Sequence, residues 1–397
     1  MCDINNTIMH SPTLINCIHI LKDLVSYDVL GGQSNLSIVD YIIKYLNERD
    51  IEYHLVPNKD LNKASIHCRI GPSAVGGIIL SGHTDVVPVE GQDWHTHPFT
   101  LTEKDNKLYG RGSCDMKGFL ACCLASVDLF KNAGLKKPVY FAFSYDEEIG
   151  CLAGPELAAA INNHYKMKPE FAIIGEPSMM KPVIGQKGIC VLETTVYGSA
   201  GHSSRIRQEV SAIHVAAKLI SWLEDKMDQM IMDGRLDKRF YPPHTSLHVG
   251  MIKGGIAPNV IADKCTFYWD VRVIPQDDIL TIIHDFDIYC KDVENDLKLR
   301  YADTRIVTEQ HHPPVPPLGT EETSEIVPLI KKISGSTELS TVAYAAEAGQ
   351  FANEGFKTVI CGPGDIAQAH RANEFIDIDQ MDQCLKMMFN LATEFSQ

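Results

Sequence analysis

The chain has 397 residues, 45% of them hydrophobic and 22% charged, an ordinary globular make-up with room for about two or three domains. Its formal net charge of −15 argues against a nucleic acid or an anionic membrane as partner. No apolar run approaches the roughly 20 residues of a membrane span, and the opening MCDINNTIMHSPTL lacks a basic segment followed by a long apolar one, so no secretory signal is read. The 12 cysteines are scattered and form no C-x-x-C pair. They read as small buried hydrophobes in a reducing, cytoplasmic setting.

Helix and strand patterns alternate over the first 185 residues. SNLSIVDYIIKYLNE carries apolar residues at helical spacing after a Ser/Asn start. GGIILSGHTDVVPV is a short apolar run that ends in polar residues. KGFLACCLASVDLFKNAG reads as one helix closed by Gly134, and KPVYFAFSYDEE and PEFAIIGEP read as strands. Polar residues thus arrive repeatedly at the C-terminal ends of apolar strands, where open α/β sheets bind ligands. The middle changes character. KGICVLETTVYG, HTSLHVGMIKGG and DKCTFYWDVRVI are rich in Thr, Val and aromatics, and two amphipathic stretches, VSAIHVAAKLISWLEDKM and DDILTIIHDFDIYCKDVEN, lie among them. HHPPVPPLG then breaks regular structure, because proline continues neither strand nor helix. SEIVPLIKKIS, KTVICGPG and IDQMDQCLKMMFNLATEF resume the helix–strand–helix order. The expected fold is an α/β catalytic domain, with a central mixed sheet flanked by helices, over residues 1–185 and 309–397. An α+β lid or dimerisation domain over residues 186–308 interrupts it.

The strand ends carry a particular set of side chains. SGHTD supplies His83 and Asp85, GRGSCDMKG supplies Asp115, DEE supplies Glu147 and Glu148, GEP supplies Glu176, and QAHRANEF supplies His370. A Glu-Glu pair is usually solvated surface, and a lone Gly-Glu-Pro is usually a turn; the joint appearance at successive strand ends carries the signal. Imidazole with carboxylate suits Zn²⁺, Co²⁺ or Mn²⁺. Two cations about 3.5–4 Å apart would take a bridging carboxylate and roughly two further ligands each. One acid would remain as a proton carrier. Asp146, first of the three acids, has no assigned role, and His95, His97, His311 and His312 read as surface or structural residues.

The string SGHTDVVPVEGQDWHTHPFTLTEKDNKLYGRGSCDMKG resembles the first metal-binding segment of the di-zinc aminoacylase and carboxypeptidase family. DEE, GEP, GSAGHSS, GGIAPNVIADKCTFYWDVR and GPGDIAQAHRANEF follow in that family's order, over almost the whole chain. The resemblance implies two Zn²⁺ per subunit, replaceable by Co²⁺. His83, Asp115 and Glu176 would hold one and Asp115, Glu148 and His370 the other, with Glu147 as general base and Asp85 orienting the His83 imidazole. It implies a homodimer formed through the lid, with His202 reaching the partner subunit's active site to stabilise an oxyanion. Asn259 and Arg272 would grip a substrate carboxylate or acyl group, although Arg272 in a strand also fits a structural salt bridge. The implied substrate is a small N-acyl amino acid. Glu347, in YAAEAG, would pair with a free side-chain ammonium, and the segment APNVIAD leans toward related deacylases. A desuccinylase, a metal carboxypeptidase and a non-catalytic binding homologue are the alternatives.

Overall fold

In the computed structural model, which describes residues 11–397, the strands Ala64–Ile70, Gly77–His83, Val139–Ser144, Pro169–Pro177 and Lys357–Gly362 are buried almost throughout. Side chains alternate between the two faces of a strand, so burial at every position requires cover on both faces. One face carries Ile66, Cys68, Ile78, Leu80, Phe141, Phe143, Ile173 and Val359. It shares a core with the helices Pro12–Val25, Lys117–Ala125, Ile326–Ser334 and Ile378–Phe395. The intervening Ile79, Tyr140, Ala142, Ala172, Ile174 and Ile360 are also buried, on the side of the helices Gly154–His164 and Ala348–Asn353.

Six strands of the sheet lie side by side in the order Tyr53–Pro57, Ala64–Ile70, Val139–Ser144, Gly77–His83, Pro169–Pro177, Lys357–Gly362. Its inner pairs, Val139–Ser144 with Gly77–His83, Gly77–His83 with Pro169–Pro177, and Pro169–Pro177 with Lys357–Gly362, are parallel. Ala64–Ile70 and Tyr53–Pro57 add antiparallel pairs at one side, so the sheet is mixed. Parallel pairing sends several strand ends the same way, which brings the polar termini of distant segments together.

The chain divides into two compact units. The first runs to Ile184 and resumes over Thr320–Ser340 and Ala346–Gln397; the second comprises Gly185–Gly319 and Thr341–Ala345. The second unit is an antiparallel sheet in the order Ser246–Gly254, Lys264–Val273, Gly188–Tyr197, Arg305–Gln310. Lys264–Val273 alternates strictly between buried and partly exposed residues. Its inward Cys265, Phe267, Trp269 and Val271 pack with Leu219 and Leu223 of the helix Ala212–Met232 and with Ile282 and Phe286 of the helix Ile279–Lys298. The boundary read at residue 308 falls inside the strand Arg305–Gln310, and the compact unit continues to Gly319.

One predicted helix is two. Lys117–Ala125 and Val127–Asn132 are separated at Ser126, whose Oγ donates to the Cys122 carbonyl at 2.8 Å. Such back-bonding by serine draws the backbone off the helical path. The eleven described cysteines are buried and unbridged. Among the described residues, no helix is long and apolar enough to cross a membrane.

Candidate metal centre

His83 is the last residue of the strand Gly77–His83 and lies opposite Ser144 in the parallel register. The chain beyond Ser144 turns through Asp146, in the left-handed region at φ +55°, and presents Glu147 and Glu148. Glu176 lies near the end of Pro169–Pro177, behind Gly175. The Phe119 ring occupies the space a Cβ at Gly175 would need, 2.1 Å from its ideal position, so only glycine lets this strand end approach the helix Lys117–Ala125 so closely. Asp115 immediately precedes that helix region, and His370, at φ +62°, follows the short turn Ile366–Gln368.

These five segments converge. His83 Nε2 stands 3.2 Å from Asp115 Oδ1 and 3.8 Å from Glu176 Oε1. His370 Nε2 stands 2.9 Å from Glu148 Oε2 and 3.6 Å from Asp115 Oδ2. The two oxygens of Asp115 therefore face two different imidazoles. Two sets of three have ligand atoms within 4.8 Å of one another: His83, Glu147 and Glu176, and His83, Asp115 and Glu148. The resemblance divides the same residues differently, with Asp115 in place of Glu147 in the first set and His370 in place of His83 in the second.

Burial without compensating charge dominates the electrostatics. Glu147 is pushed up to about 8, first by burial, then by Glu148, Asp115 and Glu347, against the pull of His83. Burial likewise raises Glu176 well above the usual carboxyl range, and Asp115 and Glu147 add to it. Burial opposes protonation of His83, but the Asp115 hydrogen bond and the charges of Glu147, Glu176 and Asp85 drive it well above its ordinary value. The Glu148 hydrogen bond raises His370 to about 9. Oε1 of Glu176 is buried without a hydrogen-bond partner. A buried acceptor left unpaired among other carboxylates calls for positive charge. Imidazole and carboxylate donors suit a divalent transition ion, and these residues could hold one.

Asp85 acts differently from the sequence expectation. His83 Nδ1 lies 2.9 Å from the Asp85 backbone carbonyl, closer than the 3.6 Å to its carboxylate. The carboxylate instead accepts the backbone N–H groups of Glu147 and Glu148, at 3.2 Å each. Residue 85 thus orients the imidazole with its main chain and the two glutamates with its side chain.

Glu374 was not singled out in the sequence. Its Oε1 accepts the N–H groups of Cys114 and Asp115, at 2.9 and 3.0 Å. Its Oε2 accepts Gly112 N–H at 3.0 Å and Arg111 Nη1 at 2.7 Å. Glu374 therefore fixes the loop that presents Asp115. It stands in the same HRANEF string as His370, and a second acid so close to a candidate ligand is the signal that could have found it.

Glu347 is buried in the first unit, and its Oε1 has no hydrogen-bond partner. Burial raises it to about 7, while Ser144 and His83 pull it down. His202, Asn259 and Arg272 belong to the second unit. His202 pairs with Val260 across a two-stranded ladder, and Ser203 N–H donates to the Asn259 carbonyl at 3.0 Å. His202 Nδ1 lies 2.9 Å from Ser204 Oγ and 3.3 Å from Ser204 N. Arg272 Nε donates to Asp270 at 3.2 Å and Nη1 to the Ala343 carbonyl at 3.2 Å. Of the histidines read as surface or structural, His95 and His97 are exposed, and His311 is exposed beside Tyr268.

The family described as Peptidase family M20/M25/M40 matches residues 79–394. An acetylornithine deacetylase of Photorhabdus laumondii is 32% identical over 369 residues, covering 93% of this chain and 92% of that protein. One from Pectobacterium carotovorum is 33% identical over 354 residues, covering 87% of each. An M20 family metallo-carboxypeptidase from Sulfolobus solfataricus superimposes with a TM-score of 0.75 at 19% identity, over 96% of this chain and 99% of that one.

Proposed function

The chain belongs to peptidase family M20/M25/M40, and from that premise we propose that it is a metal-dependent hydrolase of linear amides that removes the acetyl group from N2-acetyl-L-ornithine. The products are L-ornithine and acetate, a step of arginine biosynthesis. The observation that carries the chemistry is the cluster of buried His83, Asp115 and Glu176, half-buried Glu147 and Glu148 and exposed His370, with more acid than the protein itself neutralises. Similarity to acetylornithine deacetylases along most of the chain supports the substrate.

Two Zn²⁺ ions, with Co²⁺ as a substitute, are the proposed metals. His83, Asp115 and Glu176 would hold one, and Asp115, Glu148 and His370 the other, with Asp115 shared. Divalent cations there would polarise the acyl carbonyl and lower the pKa of water toward neutrality. Glu147 takes the proton of the attacking water and passes it to the leaving amine, which must depart neutral. Its Oε1 accepts from the Cys151 thiol at 3.2 Å, a weak donor that leaves the carboxylate basic. Asp85 holds the backbone of Glu147 and Glu148 in place.

The second unit is proposed as the lid and as the surface through which the chain forms a homodimer. His202, whose Nδ1 is engaged by Ser204 so that Nε2 is left to face a ligand, is the proposed donor to the oxyanion of the partner subunit's substrate. Asn259 and Arg272 are the proposed grips on the substrate. Glu347, buried and with an unpartnered oxygen, suits the side-chain ammonium of acetylornithine. The proposed location is the cytoplasm.

Hydrolysis of N-acetylornithine, N-acetylmethionine, N-succinyl-diaminopimelate and a dipeptide, each with Zn²⁺ or Co²⁺, tests the reading. N-acetylornithine should be turned over with the highest kcat/KM. Preferential release of succinate or of a C-terminal amino acid would overturn the substrate assignment.

A further inference from the structure

The run Asp146-Glu147-Glu148 sets three acids side by side, and Asp146 has both carboxylate oxygens engaged within the protein. Oδ2 lies 2.5 Å from Lys63 Nζ, and Oδ1 accepts Gly32 N–H at 2.8 Å. The Asp146 carbonyl accepts Leu152 N–H at 3.0 Å, which closes the turn from its far side. Both partners of the ion pair are buried, Lys63 at 8% exposure and Asp146 at 5%. We propose that Lys63 is a positioning residue for the reaction: through Asp146 it fixes the turn that presents Glu147 and Glu148. This rests on the function proposed above.

Asp146 sits at φ +55°, which side-chain-bearing residues adopt at some cost unless the surroundings hold them there. The hold consists of one buried cation and one backbone donor. Lys63 is itself set by a tight turn, in which its N–H donates to Asn58 Oδ1 at 3.0 Å and its carbonyl accepts Asn58 N–H at 3.0 Å. The next residue, Ala64, exchanges two hydrogen bonds with the buried Asn35, at 3.0 and 2.9 Å. Asn35 Nδ2 also donates to Thr84 Oγ1 at 3.1 Å, and Thr84 N–H donates to the Ser144 carbonyl at 2.9 Å. A polar chain thus runs from the base of Lys63 to Thr84, the residue after His83, and to Ser144, two residues before the acidic turn. Gly31 completes the fit, since a Cβ there would meet Ile149 at 2.8 Å and lie 3.6 Å from the Glu148 Cβ.

Loss of Lys63 strands a buried carboxylate beside two others, and the turn relaxes to expose it to water. That movement carries the N–H groups of Glu147 and Glu148 away from Asp85. The base is displaced while His83, Asp115, Glu176 and His370, on other segments, stay in place. A misplaced base lowers turnover more than it weakens substrate binding.

The test uses the full metal-loaded chain with Lys63→Met, Lys63→Arg, Asp146→Asn and the Lys63→Met/Asp146→Asn double variant. Steady-state kinetics, metal stoichiometry and the visible absorption of the Co²⁺-loaded protein are the readouts. Lys63→Met should lower kcat by about 30-fold with KM within about threefold. It should also change the Co²⁺ absorption, because Glu148 moves, while metal stoichiometry is unchanged. Lys63→Arg should recover part of kcat, and the double variant should lose less than the product of the single losses. A folded Lys63→Met with kcat within about twofold of the parent and an unaltered Co²⁺ spectrum overturns the proposal. If Lys63→Met does not fold, the near-isosteric Asp146→Asn decides by the same criteria. Failure of the parent chain to hydrolyse N-acetylornithine would instead refute the substrate reading, and the Co²⁺ spectra would still decide the role of Lys63.

Discussion

Glu374 and Glu176 are both buried carboxylates of the first unit, and their charge is met in opposite ways. Glu374 receives three backbone N–H groups and the Arg111 guanidinium, all within 3.0 Å. Glu176 has one oxygen with no hydrogen-bond partner and stands among Asp115, Glu147 and Glu148. Burial raises both carboxyls; Glu374 is pulled back by the Arg111 guanidinium and by backbone N–H groups, Glu176 by the charge of His83. A carboxylate supplied with donors by its own chain holds structure together. A carboxylate left short of them is available to something from outside.

The largest effect tests the division within the short group. Glu147→Gln should lower kcat by about 10³-fold with bound metal unchanged, as expected for loss of a general base. Steady-state kinetics with metal analysis checks it, and loss of metal instead would make Glu147 a ligand, in line with its grouping beside His83 and Glu176. The comparison itself is tested in chelator-treated protein. Glu374→Gln leaves Arg111 buried without its counter-charge and should destabilise by about 3 kcal/mol. Glu176→Gln removes one of several repelling acids and should leave the urea midpoint unchanged or higher. Equal losses in the two variants would break the distinction.

A third buried group offers a contrast, because it is kept neutral. His67, in contact with Tyr165 through a 3.0 Å hydrogen bond and close to His54 and His164, is lowered to about 3, mainly by burial. Between that value and the ordinary 6.5 of an unfolded histidine, only the unfolded chain takes up the proton. Its contribution is therefore complete above about pH 6.5 and falls as pH drops, by about 2 kcal/mol at pH 5. Urea unfolding at pH 7 and pH 5 should show this loss, and His67→Gln should reduce it. The smallest effect concerns Glu347. Glu347→Gln should reduce the preference for N-acetylornithine over N-acetylmethionine by about tenfold, roughly 1.4 kcal/mol, in competing kcat/KM measurements.

Much of this was legible in the sequence for a definite reason. Apolar strands end abruptly in His83, Glu147 and Glu176, and parallel pairing requires such ends to meet. The long strings around Asp115 and His370 then supplied the family. What escaped depended on pairings between distant positions or on main-chain geometry. Arg111 and Glu374 lie 263 residues apart, and Lys63 and Asp146 lie 83 apart, with no local pattern linking them. The exchange of roles between the Asp85 carbonyl and carboxylate is set by how the chain leaves a strand, which composition does not encode. The break at Ser126 was hidden because the apolar spacing continues through it. Helix Pro12–Val25 went unread, although Ser11 caps it by accepting Leu14 N–H at 3.2 Å.

The strand Lys357–Gly362 lies beside Pro169–Pro177 in the sheet, yet the chain between them includes all of Gly185–Gly319. During synthesis the second unit, built mostly from one continuous stretch, can close before the first has its full complement of strands. Until the C-terminal segment emerges, Pro169–Pro177 presents an open apolar edge of the kind that pairs with other chains. A ribosome that stalls before residue 357 would therefore release a sticky product lacking His370 as well as a seam of the sheet. The stretch from Lys357 to His370 therefore carries both the strand that covers this edge and a candidate metal ligand.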